Sequence, residues 1–244
     1  MKKLLLLAVC FFAVAAHAQK KDKDEVIYYT DSEVKRSRFA IALTFNPNYT
    51  DRRIIGDEIP SGGGLDLENT DDKGSFQLNY NAGFFFELGS SLDIGLGFGR
   101  TFGEYEVQNA RIYGDGIDTT VGTLHTNLSM YTIPFKLNFN TRITDVLDLE
   151  VVPVIEFNIL DSYDQRMTPA DGAAAFNLGE NDDVRNINTA VGLGLGGTYI
   201  FTENWGVFLR GNIKYMLNPL VERVNYPRET LYSFGADIGI KYSF

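Results

Sequence analysis

The chain ends in LYSFGADIGIKYSF, residues 231–244. Tyr232, Phe234, Ala236, Ile238, Ile240, Tyr242 and Phe244 share one parity, and Ser233, Gly235, Asp237, Gly239, Lys241 and Ser243 the other. Successive side chains of an extended strand point to opposite faces. The segment therefore carries a bulky apolar face and a small or charged face along its whole length, a period of two and not 3.6.

Working back along the chain, the same alternation recurs. It runs through Arg38–Tyr49, Phe76–Leu88, Leu92–Phe102, Leu128–Phe139, Val146–Ile159, Asn188–Phe201 and Trp205–Leu217, making eight segments in all. Leu92, Ile94, Leu96 and Phe98, for instance, oppose Asp93, Gly95, Gly97 and Gly99. The connections alternate too. Gly89–Ser91, Asn140–Asp145 and Thr202–Asn204 are short, whereas Thr50–Ser75, Gly103–Asn127, Leu160–Ile187 and Asn218–Thr230 are long. Outer-membrane barrels combine short periplasmic turns with longer extracellular loops. The expectation is an all-β protein, an eight-stranded antiparallel up-and-down transmembrane β-barrel over residues 38–244, with both termini periplasmic. A soluble barrel would turn its bulky face inward, and rings from eight strands would not fit there with glycine outside.

The N-terminus supplies an export route. Lys2 and Lys3 precede an apolar run, Leu4 to Ala16, and Ala16-His17-Ala18 is a small-residue cleavage site before Gln19. This reads as a signal peptide over residues 1–18; its apolar run is shorter than the ~20 residues of a membrane-spanning helix. Cleavage there removes Cys10, the one cysteine, so neither a disulfide framework nor a cysteine metal site is expected. Residues 19–37 are densely charged and read as a periplasmic tail. The net charge is -10 and no basic cluster stands out, which argues against a nucleic-acid partner. Phe 18, Tyr 13 and Gly 24 suit pleated surfaces and crowded interiors.

Two stretches resemble known patterns. The alternating tail Ile240, Tyr242, Phe244, closing on phenylalanine, resembles the signal read by the outer-membrane barrel assembly machinery. Tyr131-Thr132-Ile133-Pro134-Phe135-Lys136-Leu137 resembles a strand of PorT-like, porin-family outer-membrane proteins. The resemblance spans residues 38–244 and implies an OmpX-like barrel set among outer-membrane lipid and lipopolysaccharide, with the assembly machinery as a partner during biogenesis. It implies no catalytic residues and no cofactor, and fold alone does not assign an activity.

The inward parity gathers Glu87, Asp93, Asp148, Glu150, Glu156 and Asp237 with Lys136, Arg210, Lys214 and Lys241. Unpaired charges in a low-dielectric lumen are costly, so these residues are expected to pair as a plug, with a narrow ion path as the alternative. Catalysis has little to work with. His125 is the one histidine left after signal removal, Ser129 lies about 13 Å further along a strand, and Thr126 points to the opposite face. Asp71-Asp72, Asp115 with Asp118, and Asn181-Asp182-Asp183 are acidic loop tips, solvated or loosely Ca²⁺-binding. Arg100 follows the outward parity, reaching lipid phosphates unless a bulge turns it inward. The expected function is non-enzymatic, structural or interactive, through the long loops or the tail. The alternatives are a narrow channel and an accessory subunit of an envelope machine.

Overall fold

The rise of about 3.3 Å per residue lets ten residues cross a bilayer core at a tilt, but several strands here are far longer than that. The computed structural model describes residues 39–54, 64–66, 71–88, 91–113, 119–179, 184–221 and 228–244. The expected signal peptide, the charged tail and the acidic tips at Asp115, Asp118 and 181–183 lie outside the described residues. The strands are β1 (Phe39–Ile54), β2 (Gly64–Asp66), β3 (Asp71–Glu87), β4 (Leu92–Tyr113), β5 (Thr119–Thr144), β6 (Leu147–Pro169), β7 (Phe176–Gly179), β8 (Ile187–Ile200), β9 (Trp205–Met216) and β10 (Glu229–Ser243).

Eight of them close a ring in the order β1-β3-β4-β5-β6-β8-β9-β10, with every pairing antiparallel and β10 returning to β1. Short β2 pairs with β4 and short β7 with β6. Closure leaves the ring without an unpaired edge. All eight expected segments are strands of this ring.

The faces separate as the alternation predicts. Along β1, Phe39, Ile41, Leu43 and Phe45 are exposed, and Ala40, Ala42, Thr44, Asn46 and Asn48 are buried. Leu209 and Ile213 on β9 and Phe84 on β3 are likewise exposed, while Arg210, Asn212 and Phe85 are buried between the walls. A continuous apolar outer wall around a polar interior is stable only in lipid. The chain is an eight-stranded transmembrane β-barrel.

Several strands overrun their expected ends, β4, β5 and β6 the farthest. β4, β5 and β6 continue past Phe102, below Leu128 and past Ile159, so Gly103–Asn127 and Leu160–Ile187 are not simply loops. The physical reason is a reversal of the pattern. In the belt the apolar residues face outward, but beyond it Tyr105, Val107, Leu124, Leu128, Tyr163 and Met167 face inward and are buried. The register shifts at several bulges, two of which lie near this change of pattern. One falls between Val107 and Ala110, where Asn109 adopts φ 62°, a left-handed conformation that asparagine tolerates. The other falls opposite Ser129 and Met130, leaving Asp161 unpaired in β6.

The seam between the first and last strands is joined by more than backbone. Asn46 donates to Asp237, Arg52 Nη1 to Glu229 Oε2 (3.1 Å), Tyr232 Oη to Asp51 Oδ2 (3.0 Å), and Phe244 N to Phe39 O (3.0 Å).

Candidate functional site

An eight-stranded ring has an interior just wide enough for its own side chains, and the lumen here is best followed upward from the end that holds Phe39 and Phe244. At this proximal end Phe85 and Phe208 pack with Ala40 and Ala42. Glycines make the room. A Cβ on Gly95 would sit 2.6 Å from the Phe85 ring, and one on Gly239 would strike Phe208. Each ring carries a cation, Lys241 Nζ at 5.6 Å from the Phe85 centroid and the Arg210 guanidinium at 4.1 Å from that of Phe208.

A charged column begins beside the rings, with Asp93 toward the proximal turn from Gly95, the residue paired with Phe85, and continues above them. Asp93 accepts from Lys241 Nζ (3.1 Å) and Asn140 Nδ2 (3.0 Å). Glu150 accepts from Arg210 Nε, Thr198 Oγ1 (2.7 Å) and Asn138 Nδ2 (3.3 Å). Glu156 accepts from Lys214 Nζ (2.7 Å). The remaining two charges meet amides rather than opposite charges: Asp237 accepts from Asn46 and Asn212 (3.0 Å), and Lys136 donates to Asn81 Oδ1 (3.3 Å). Glu87 is half-buried on the same face, in register with Asp93, while Asp148 faces Arg142 Nε at the proximal rim (2.9 Å). Asp93, Glu150, Glu156 and Asp237 balance Lys136, Arg210, Lys214 and Lys241, and half-buried Glu87 adds one negative charge at the proximal end.

A cavity of about 40 Å³ lies where Glu156, Asn158 and Lys214 give way to Met130, Met216 and Leu231. On this measure one water needs about 10–15 Å³, so the space holds a few waters. Beyond it the interior is mainly apolar. Leu65, Tyr105, Val107, Leu124, Leu128, Met130, Tyr163, Met167, Leu220 and Leu231 form one buried cluster inside the overrunning strands. We call this the distal cap. Set in it is a buried ionic group: Glu229 takes Arg52 and Tyr105 Oη (2.6 Å), and Arg52 Nη2 also reaches Asp72 Oδ1 (2.7 Å). Neither the cap nor this group emerges from the sequence, because its residues fall in segments that alternate the opposite way from the belt.

The remaining sequence candidates lie on the outer wall or at the ends. His125 Nδ1 lies 3.1 Å from Glu106 Oε1 on the outer face of the cap. Asp72 of the acidic pair engages Arg52, and among the described residues no group of three or more His, Cys, Asp or Glu is placed to hold a metal ion. Arg100 keeps the outward parity and pairs with Asp161. Tyr242 packs between Trp205 (4.7 Å) and Phe244 (5.1 Å) beside Ile240, at the proximal edge of the belt.

No protein-family model matches the chain, and no curated protein matches it. Among solved structures the chain is similar to outer membrane protein OprG from Pseudomonas aeruginosa, at 10% identity and a TM-score of 0.48, over 86% of this chain and 97% of that one. Neisserial surface protein A is similar at 10% identity and a TM-score of 0.46, over 85% and 98%. The outer membrane protease OmpT from Escherichia coli is similar at 10% identity and a TM-score of 0.46, over 84% and 96%.

Proposed function

We propose that this protein resides in a bacterial outer membrane with its distal cap outside the cell, that its lumen does not conduct, and that it works by presenting the cap to partners and not by catalysis. The observation that carries this reading is the filling of the lumen along its length: rings at the proximal end, a charged column, and the apolar cap. A conducting path needs a continuous wet passage, and the apolar cluster around Met130, Met216 and Leu231 interrupts one. The cap supports the interaction role because its long strands hold a polar outer face, with Glu104, Glu106, His125, Asp164 and Arg166, on a rigid core. Export by the signal at residues 1–18, assembly through Ile240, Tyr242 and Phe244, and PorT-like kinship through Tyr131–Leu137 complete the reading.

Single-channel recording of the refolded protein in a planar bilayer tests it, with heat-modifiable migration on gels as the control for folding. The expected record is silent. Reproducible steps altered by Arg210→Ala or Glu156→Ala would replace the plugged barrel with a narrow channel. Orientation is tested separately with a cysteine placed at Ala173, in the exposed turn after β6. An impermeant maleimide should label it on intact cells; labelling only after the outer membrane is broken would invert the topology.

A further inference from the structure

Aromatic rings collar the distal edge of the lipid-facing belt. Tyr49 packs on Phe76 (5.4 Å) and on Phe234 (5.1 Å), and Phe98 stacks on Tyr131 (5.9 Å). Such rings sit at the boundary between hydrocarbon and headgroups. Across β4–β6 the collar is broken by a polar patch. Arg100 reaches over β5, with Nη2 bonded to Asp161 Oδ2 and to Ser129 Oγ (3.3 Å). Ser129 Oγ lies 2.9 Å from both Asp161 Oδ2 and Ser162 Oγ. The guanidinium is 5.1 Å from the centroid of the Tyr131 ring and 5.6 Å from that of Phe102. At ~3.3 Å per residue and a tilt of ~40°, Arg100 stands roughly 20 Å above the start of β4, near the top of a belt about 25 Å tall.

The bulge at Asp161 is what creates the patch. It places a carboxylate on the outer wall where Tyr163 then turns into the cap. An ion pair set in an apolar surface is no more stabilising than an apolar pair of similar size, so stability alone does not account for it. Its free atoms define what would. Among the described residues, the hydrogen bonds of this pair run through Nη2 and Oδ2, and the two side chains remain 31% and 28% exposed. Nη1 of Arg100 and Oδ1 of Asp161 are thus left as a donor and an acceptor on one small patch. A bare phosphate would meet the carboxylate, an ammonium would meet the guanidinium, and a zwitterionic headgroup, which offers both charges, is the competitor that the test must separate. Neighbouring hydroxyls satisfy both, one donating to Oδ1 and the next accepting from Nη1, while the C–H face of a ring rests on Tyr131.

We infer that Arg100, Asp161, Ser129, Ser162 and Tyr131 form a binding site for the sugar headgroup of a membrane glycolipid. The inference rests on the proposed function only for which leaflet the site faces. The test therefore uses nanodiscs with the same lipids in both leaflets, so that a wrong orientation does not make it fail. Nanodiscs of phosphatidylcholine doped with digalactosyl diacylglycerol are compared with ones doped with phosphatidylethanolamine or phosphatidylglycerol, and lipid retained on the barrel is read by native mass spectrometry. Wild type should retain the glycolipid in preference to both phospholipids. Arg100→Gln and Asp161→Asn should each weaken retention about tenfold, the loss of one charge-assisted hydrogen bond. Free methyl galactoside at millimolar concentration should not displace the lipid, because the acyl chains on the belt add to its binding; displacement would identify a soluble sugar and overturn the glycolipid assignment. Equal retention by wild type and variants, or a preference for either phospholipid, would also overturn it. If a charge variant fails to show heat-modifiable migration, Tyr131→Leu, which keeps the ion pair and removes the ring, decides by the same readout.

Discussion

Arg210 and Arg142 are both paired with carboxylates, yet their surroundings give the two pairs different worth. The Arg210–Glu150 pair is about 2% exposed on both sides, with Thr198 and Asn138 completing the Glu150 shell. Arg210→Ala leaves a buried, uncompensated carboxylate and should lower stability by about 3–5 kcal/mol. Arg142 is 37% exposed at the rim, and Arg142→Ala should cost no more than ~1 kcal/mol. Urea midpoints in lipid vesicles check both values, and equal losses would show that the lumen is wetter than its packing. The parity of Arg210 and Glu150 was readable in the sequence, since alternation assigns a face. Their partnership was not: sixty residues separate them, and pairing depends on ring register. Phe85 and Phe208 illustrate the same limit, because a ring on the inner parity reads as an exception until Gly95 and Gly239 are seen to make space for it.

At the level of the strand, β4 is two structures end to end. From Leu92 to Phe102 its bulky residues meet lipid, and from Tyr105 onward they meet the cap core. An alternation that changes sign reads as the end of a strand, which is why Gly103–Asn127 passed for a loop. β6 solves the change differently: the extra residue at Asp161 keeps the bulky parity on odd numbers while moving it from outside, at Ile159, to inside, at Tyr163. Leu124, fully buried in the cap, gives a test. Leu124→Ala should cost about 2–5 kcal/mol, and the loss should appear as faster proteolysis of the cap while heat-modifiable migration of the barrel persists. Loss of both together would mean that cap and barrel unfold as one unit. Asn109→Val forces a β-branched residue into the left-handed region and should cost about 1–2 kcal/mol, whereas Asn109→Gly should cost little. Thermal unfolding in detergent distinguishes them.

The whole molecule was legible in outline and hidden in filling. Strand number, order and facing follow from eight alternating segments and the rhythm of their connections, because a closed ring admits few arrangements of consecutive antiparallel neighbours. The apolar upper lumen was not legible, since it is assembled from short contributions of β2, β4, β5, β6, β9 and β10 together with Val184 and 220–221. The seam between β1 and β10 also bears on the lifetime of the protein. Peeling these strands apart would bring Asp237 toward hydrocarbon before any water could reach it. Opening therefore has a high barrier even where the equilibrium cost is moderate. Asp237→Ala should accordingly raise the unfolding rate far more than it slows refolding, as stopped-flow dilution into and out of urea would read. A barrel fastened in this way is discarded by digestion or by shedding with its membrane more readily than by spontaneous unfolding.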